Sequence, residues 1–131
     1  MILVDASVII DFWRAPTTVA DEILSRADVC ICGITLAELM YGALDEDDSV
    51  RIRMKLKRYV QLAIQEEDWP FLGQNLCRLR RIGLRVPFPD AMLATLAVQH
   101  DMELWSLDAH FVQIQKAIPS LKLFQTGAPG R

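Results

Sequence analysis

The stretch ILVDAS, residues 2–7, decides the reading of the fold. Ile2, Leu3 and Val4 form a short apolar run without alternation, closed at once by Asp5, Ala6 and Ser7. A strand with one wet face alternates; an unbroken apolar run belongs to a strand buried on both faces, as in a parallel sheet covered by helices. The signature returns at Val29-Cys30-Ile31-Cys32 and at Leu104-Trp105-Ser106-Leu107, with a weaker instance at Leu121-Lys122-Leu123-Phe124. Helical patterns fill the intervals: 19–27, with Thr17 or Thr18 placed to cap it, then 35–44, 50–66, 73–82, 91–99 and 109–118. Thr35-Leu36-Ala37-Glu38 has the spacing of a capping box. The 91–99 segment is apolar nearly all round and is expected to be deeply buried. Strands alternating with helices place the chain in the α/β class, with a mainly parallel central sheet.

Composition agrees. The chain has 131 residues, 52% of them hydrophobic and 24% charged, which is a globular domain and not a disordered chain. One domain over residues 1–124 is expected, followed by a flexible tail over 125–131, where Gly127-Ala128-Pro129-Gly130-Arg131 reads as linker. Three cysteines, an odd number, do not make a disulfide framework. No apolar stretch approaches the roughly 18–20 residues needed to span a bilayer, so no membrane role is expected. The first residues carry no basic segment and place an acid at position 5, unlike a signal peptide; the expected compartment is the cytoplasm.

Net charge is −3, from 14 basic and 17 acidic residues, and points by itself to no polyanionic partner. The distribution is uneven: Arg51, Arg53, Lys55, Lys57, Arg58, Arg78, Arg80, Arg81 and Arg85 all fall between 51 and 85. That asymmetry is a candidate electrostatic footprint, although the 51–58 group also reads as a solvated helix face able to pair with the acids at 45–48.

In parallel α/β sheets, reactive groups gather at the carboxyl ends of the strands. Asp5 directly follows the first strand, Glu38 is expected in the first turn of the helix after the second, Asp90 follows Pro87-Phe88-Pro89 and opens the buried helix, and Asp108 ends the strand at 104–107. Singly, each acid is also accounted for as a helix cap or a macrodipole partner. Together they would repel: at an effective dielectric of about 20, two charges ~4 Å apart cost roughly 4 kcal/mol. A fold keeps such a cluster only around something cationic, and oxygen ligands without His or Cys suit Mg²⁺ or Mn²⁺.

VDAS with Asp5 and Ser7, TLAELMYG with Glu38, PFPDAMLATLA with Asp90 and LWSLDAHF with Asp108 together resemble the PIN-domain ribonucleases, and more narrowly the VapC toxins of bacterial toxin–antitoxin pairs. The resemblance covers residues 1 to about 124 and rests on the order and spacing of all four motifs. It implies a three-layer α/β/α sandwich, Mg²⁺- or Mn²⁺-dependent cleavage of RNA, a homodimer and a small antitoxin that blocks the site. By position it makes Asp5 and Asp90 direct metal ligands. Glu38 would hold a second metal or orient the attacking water, and Asp108 would act directly or through water. Ser7 and Ser106 would hydrogen-bond the ligand oxygens. The sequence departs from the family at 107, where Leu107 offers no ligand, and Ser106 stands where the family often has Thr. Hydrolysis by a metal-activated water would leave 5′-phosphate and 3′-hydroxyl ends.

Further residues bear on the same chemistry. Arg14, Arg80, Arg81 and Arg85 are candidate contacts to RNA phosphates. Cys30, Cys32, Cys77, His100 and His110 match no zinc spacing and read as core and surface residues, with His110 a polar helix-start residue. Trp13, Trp69 and Trp105 read as packing residues. No G-x-S-x-G, Walker A or G-x-G-x-x-G motif is present. The competing functions are a PIN-like RNA-processing nuclease that is not a toxin, and a catalytically silent module that binds RNA or protein.

Overall fold

The computed structural model describes residues 1–127; of the tail expected over 125–131, residues 128–131 lie outside the described residues. The chain runs β1 (Ile2–Val4), α1 (Ala6–Arg14), α2 (Thr18–Leu24), β2 (Val29–Cys32), α3 (Gly33–Tyr41), α4 (Glu46–Leu56), β3 (Val60–Leu62), α5 (Asp68–Arg81), α6 (Phe88–Gln99), β4 (Glu103–Trp105), α7 (His110–Ala117) and β5 (Lys122–Leu123). All neighbouring strands are parallel, in the order β3-β2-β1-β4-β5. This is the α/β fold with a central parallel sheet that the alternation of patterns required.

The absence of alternation in the strands has a direct cause. Leu3, Cys30, Cys32 and Leu104 face one layer, where they pack with residues of α5, α6 and α7 such as Leu72, Leu79, Leu93, Leu96, Phe111 and Ile114. Ile2, Val4, Val29, Ile31 and Trp105 face the other, against Val8, Ile9, Leu24, Leu39, Ile52 and Leu56 of α1 to α4. Both faces are dry, so successive residues must both be apolar. Cys30 and Cys32 are fully buried and belong to this packing, with the Cys30 thiol 3.8 Å from the Met102 sulfur. Burial pushes the Cys30 thiol up to about 11.

One expected helix is two elements. The pattern over 50–66 divides into the end of α4 at Leu56 and the strand β3, entered through Tyr59. β3 lies at the edge of the sheet, and its residues are exposed or half-buried, so it carries no apolar run to announce it. Thr17 does cap α2, accepting from the Ala20 N–H at 3.1 Å. Thr35 does not cap α3. That helix begins at Gly33, and the fully buried Thr35 hydroxyl donates to the Val4 carbonyl at 3.3 Å, tying α3 to the end of β1.

The helix carrying Asp90 is held from two sides. Asn75 of α5 donates to Thr95 of α6 at 2.9 Å, and His100, just after α6, meets Asp68 of α5 at 3.2 Å. These pairings run in opposite senses along the chain, so α5 is antiparallel to α6 and its last turn lies beside the first turn of α6. Gly83, at φ +78, closes α5 in the left-handed conformation that favours glycine, and the Leu84 N–H returns to the Leu79 carbonyl at 2.9 Å. Pro87 and Pro89 then start α6 where no helical N–H partner is needed.

Leu96 is fully buried in α6 at the centre of this layer. Leu96→Ala is expected to cost about 2–5 kcal/mol through lost transfer energy and a residual cavity. Met54→Ala on exposed α4 should change stability by about 0.5 kcal/mol or less. Urea unfolding of the two variants against the parent chain checks both.

Candidate active site

Parallel strands bring all their carboxyl ends to one edge of the sheet, and β1 lies at its centre, between β2 and β4. That is where connections depart to opposite sides and a crevice opens. Asp5 stands at this point. Its N–H donates to the Trp105 carbonyl at 2.9 Å, locking the end of β1 to β4.

Asp5 is 6% exposed and begins α1, yet its side chain accepts no bond from the helix N-terminus. Its Oδ2 accepts instead from the Ser7 hydroxyl at 2.8 Å and the Ser106 hydroxyl at 2.7 Å. Both serines are themselves fixed: the Leu107 N–H donates to Ser7 Oγ at 3.1 Å and the Asp108 N–H to Ser106 Oγ at 3.0 Å. A carboxylate buried this way is aimed, with one oxygen held. The two serine hydroxyls lie 3.3 Å apart, across 99 residues of sequence.

Glu38 is placed by α3, one turn beyond the buried Thr35 that anchors the helix to β1. It lies past the first turn, so helix capping does not explain it. Its carboxyl pKa is raised, first by partial burial and then by the negative charges of Asp5 and Asp90. The pKa of Asp90 is also raised, mainly by burial, with Asp5 and Asp108 adding to the rise and His110 opposing it. These mutual influences bring Asp5, Glu38, Asp90 and Asp108 into one electrostatic cluster.

His110 is the site residue that sequence reasoning misses. Its Nε2 lies 2.5 Å from Asp90 Oδ2 and its Nδ1 lies 2.7 Å from Asp108 Oδ1. Asp90, Asp108 and His110 offer three ligand atoms within 4.8 Å of one another. The available signal is spacing: His110 is two residues from Asp108 and opens the same helix. Asp108 has a second duty of the bland kind, accepting from the His110 N–H at 3.2 Å at the start of α7.

The basic candidates stay outside this cluster. Arg14 closes α1, about 13 Å along the helix axis from its start. Arg80 and Arg81 occupy the exposed last turn of α5, and exposed Arg85 follows in the loop to α6, so these three lie on the side where α6 begins. Arg51 is paired with Asp48 at 2.8 Å, and Lys55 lies 4.9 Å from the Trp13 ring, which gives the α4 face local partners. Trp105 packs edge-on against Phe124, whereas Trp69 is exposed.

The site is open. Glu38 and Asp108 are exposed at its rim, and a hollow of about 200 Å³ lined by Trp105, Leu107, Phe111 and Phe124 borders Asp108. The donor set fits a divalent cation: several carboxylates, partly desolvated and under mutual repulsion, with a single imidazole beside them.

Comparison with known families matches the PIN domain over residues 2–117. The chain belongs to the PIN domain family. No curated protein matches it by sequence. Among solved structures it is similar to a chain of VapBC2 from Rickettsia felis bound to a promoter DNA fragment, with TM-score 0.80 and 21% identity, covering 95% of this chain and 98% of that one. VapBC-1 from nontypeable Haemophilus influenzae gives 0.80 and 21%, covering 98% and 100%. DNA-bound VapBC from Salmonella typhimurium gives 0.81 and 21%, covering 95% and 97%. At that identity the likeness establishes a shared fold over essentially the full length of each chain. Among the described residues no helix is long and apolar enough to cross a membrane.

A carboxyl whose pKa is raised by folding binds its proton more tightly folded than unfolded. Lowering the pH from neutral through that raised value therefore adds stability, and the gain is complete below the ordinary carboxyl range. In chelator, Glu38→Gln should melt higher than the parent at neutral pH and gain less on acidification. It should also respond less to Mg²⁺. Thermal unfolding across pH, with and without Mg²⁺, checks this; a variant that melts lower with an unchanged acid response would make Glu38 an ordinary surface acid.

Proposed function

We propose that this chain is a metal-dependent endoribonuclease acting in the cytoplasm as the toxin of a VapBC-type pair. It would work as a homodimer and be held in check by a small antitoxin. The observation that carries the reading is the convergence of Asp5, Glu38, Asp90 and Asp108 at one open edge of a PIN domain. The similar chains come from VapBC structures, one of them from Mycobacterium tuberculosis described as a member of a family of toxin–antitoxin systems.

Asp5 and Asp90 are the residues to hold Mg²⁺ or Mn²⁺ directly, with Glu38 and Asp108 completing the set. The cation, when bound, activates the attacking water and neutralises charge on the phosphate. The residues supply the rest. Ser7 and Ser106 fix one oxygen of Asp5, leaving the other to face the cluster. Glu38, with its raised proton affinity, orients the water and takes its proton. The water oxygen attacks phosphorus in line, the bond from phosphorus to the 3′-oxygen breaks, and the ends are 5′-phosphate and 3′-hydroxyl. Arg80, Arg81 and Arg85 would meet phosphates beyond the cut, and Arg14 would meet them farther out along α1.

Cleavage of end-labelled total RNA, by protein freed of any co-purified partner, tests the reading. Discrete cuts are expected in Mg²⁺ or Mn²⁺, absent in EDTA and abolished in Asp5→Asn. Cyclic 2′,3′-phosphate ends would overturn the proposed attack. No difference between parent and Asp5→Asn across several RNAs would leave a binding module. For the arginines, Arg81→Glu should lower the slope of log affinity against log salt by about 0.7 for each phosphate that Arg81 neutralises on single-stranded RNA. An unchanged slope would return Arg81 to ordinary surface charge.

A further inference from the structure

We propose that the hollow beside Asp108 is a subsite for one unstacked nucleobase, that of a nucleotide flanking the cut, with Leu107 as the side chain that grips it. The proposal rests on the nuclease reading of the acid cluster and concerns what lies next to it.

The hollow forms where the sheet runs out. β5, at the sheet edge, is only two residues long, and beyond it the Phe124 N–H donates once more to the Leu104 carbonyl at 2.8 Å. Between that segment and the start of α7 lies a space of about 200 Å³. Trp105 and Phe111, both buried, floor it, and Phe124 stands edge-on to Trp105 with ring centroids 5.3 Å apart. Leu107 and Val112, 42% and 56% exposed, form its lips.

The occupant follows from charge and position. Asp108 belongs both to the hollow and to the acid cluster, so a phosphate held at the cluster brings a neighbouring nucleotide to the hollow. Among the described residues that line it there is no Lys, Arg or His, and the acidic side chain is Asp108. A phosphate is repelled from such a space; an uncharged ring is not. A nucleobase has apolar faces that stack on aromatic side chains and polar edges that hydrogen-bond. The hollow offers the same division, with aromatic and aliphatic surface inside and Asp108 and Gln125 at its margin.

Leu107 is otherwise hard to place. It packs in neither face of the core and offers no metal ligand, yet its backbone is bonded into the site. Its N–H donates to Ser7 Oγ at 3.1 Å, and the same hydroxyl holds Asp5. An apolar side chain kept exposed on so fixed a backbone, one residue from Asp108, gains burial when a base enters the hollow.

Methyl NMR of the full chain in Mg²⁺, titrated with 5′-nucleoside monophosphates and separately with ribose 5-phosphate, reads the hollow without requiring cleavage. The Leu107 and Val112 methyl resonances are expected to show ring-current shifts with nucleotides and to stay in place with ribose 5-phosphate. Leu107→Ala should weaken nucleotide binding about fivefold or more while ribose 5-phosphate binding is unchanged. In an oligonucleotide carrying a mapped cut, an abasic residue at one flanking position should lower kcat/KM about tenfold or more, and less in Leu107→Ala. Metal-dependent cleavage indifferent to abasic residues on both sides, with Leu107 and Val112 unmoved by every nucleotide, overturns the subsite and leaves the nuclease reading intact. Equal shifts with ribose 5-phosphate also overturn it. Shifts produced by N-acetyl-leucinamide and by no nucleotide would assign the hollow to a protein side chain. Shifts produced by deleting residues 128–131, with no nucleotide effect, would assign it to the chain's own last residues. Nucleotide shifts at the hollow in a chain that cuts no RNA would keep the base site and overturn the cleavage.

Discussion

Like charges held together at the carboxyl edge of the sheet are the constraint on which the rest of this structure depends. Folding brings Asp5, Glu38, Asp90 and Asp108 into mutual range, and the proton affinities of Glu38 and Asp90 are raised, first by burial and further by their like-charged neighbours. Among the described residues no arginine or lysine is built into the cluster to neutralise it. Relief comes from hydrogen bonds: two serine hydroxyls on a single oxygen of Asp5, and a histidine between Asp90 and Asp108.

The rigidity around the cluster follows from the same requirement. Repelling groups separate unless their supports are stiffer than the force between them. Three of the four acids hang on elements anchored in the core: Asp5 at the end of the central strand, Glu38 on a helix tied to that strand through buried Thr35, and Asp90 on a helix braced by the Asn75–Thr95 bond. α6 is buried along nearly its whole length, which is why its sequence shows no amphipathic stripe. Placement of one carboxylate has consumed an entire helix face on every side.

The parts legible in the sequence are those with a one-dimensional signature. β1 and β2 are apolar runs because both their faces are covered, and the four acids stand out because parallel strands end at a common edge. β3 reads as helix because an edge strand with exposed side chains, preceded by an amphipathic stripe ending in Leu56, supplies nothing to break the helical pattern. Thr35 reads as a cap from spacing alone, since the carbonyl it serves belongs to Val4, 31 residues away. His110 escapes notice for a related reason. Its partners are Asp108, close in sequence and easily taken for a cap, and Asp90, twenty residues earlier and met only once α6 and α7 pack together.

The distribution of cations completes the argument. A chain of net charge −3 with a cluster of acids at its reactive edge repels a polyanion until that edge is neutralised. The arginines closest along the fold, Arg80, Arg81 and Arg85, lie where α5 hands over to α6, beside the cluster and not in it. Had they reached the carboxylates they would have paired with them. Set at the rim and left exposed, in the proposed function they attract phosphate while the acids hold the cation. On that reading the separation between the two charges matters as much as either one, and it is the short Gly83 turn, closing α5 just ahead of the Pro87-Phe88-Pro89 start of α6, that sets it.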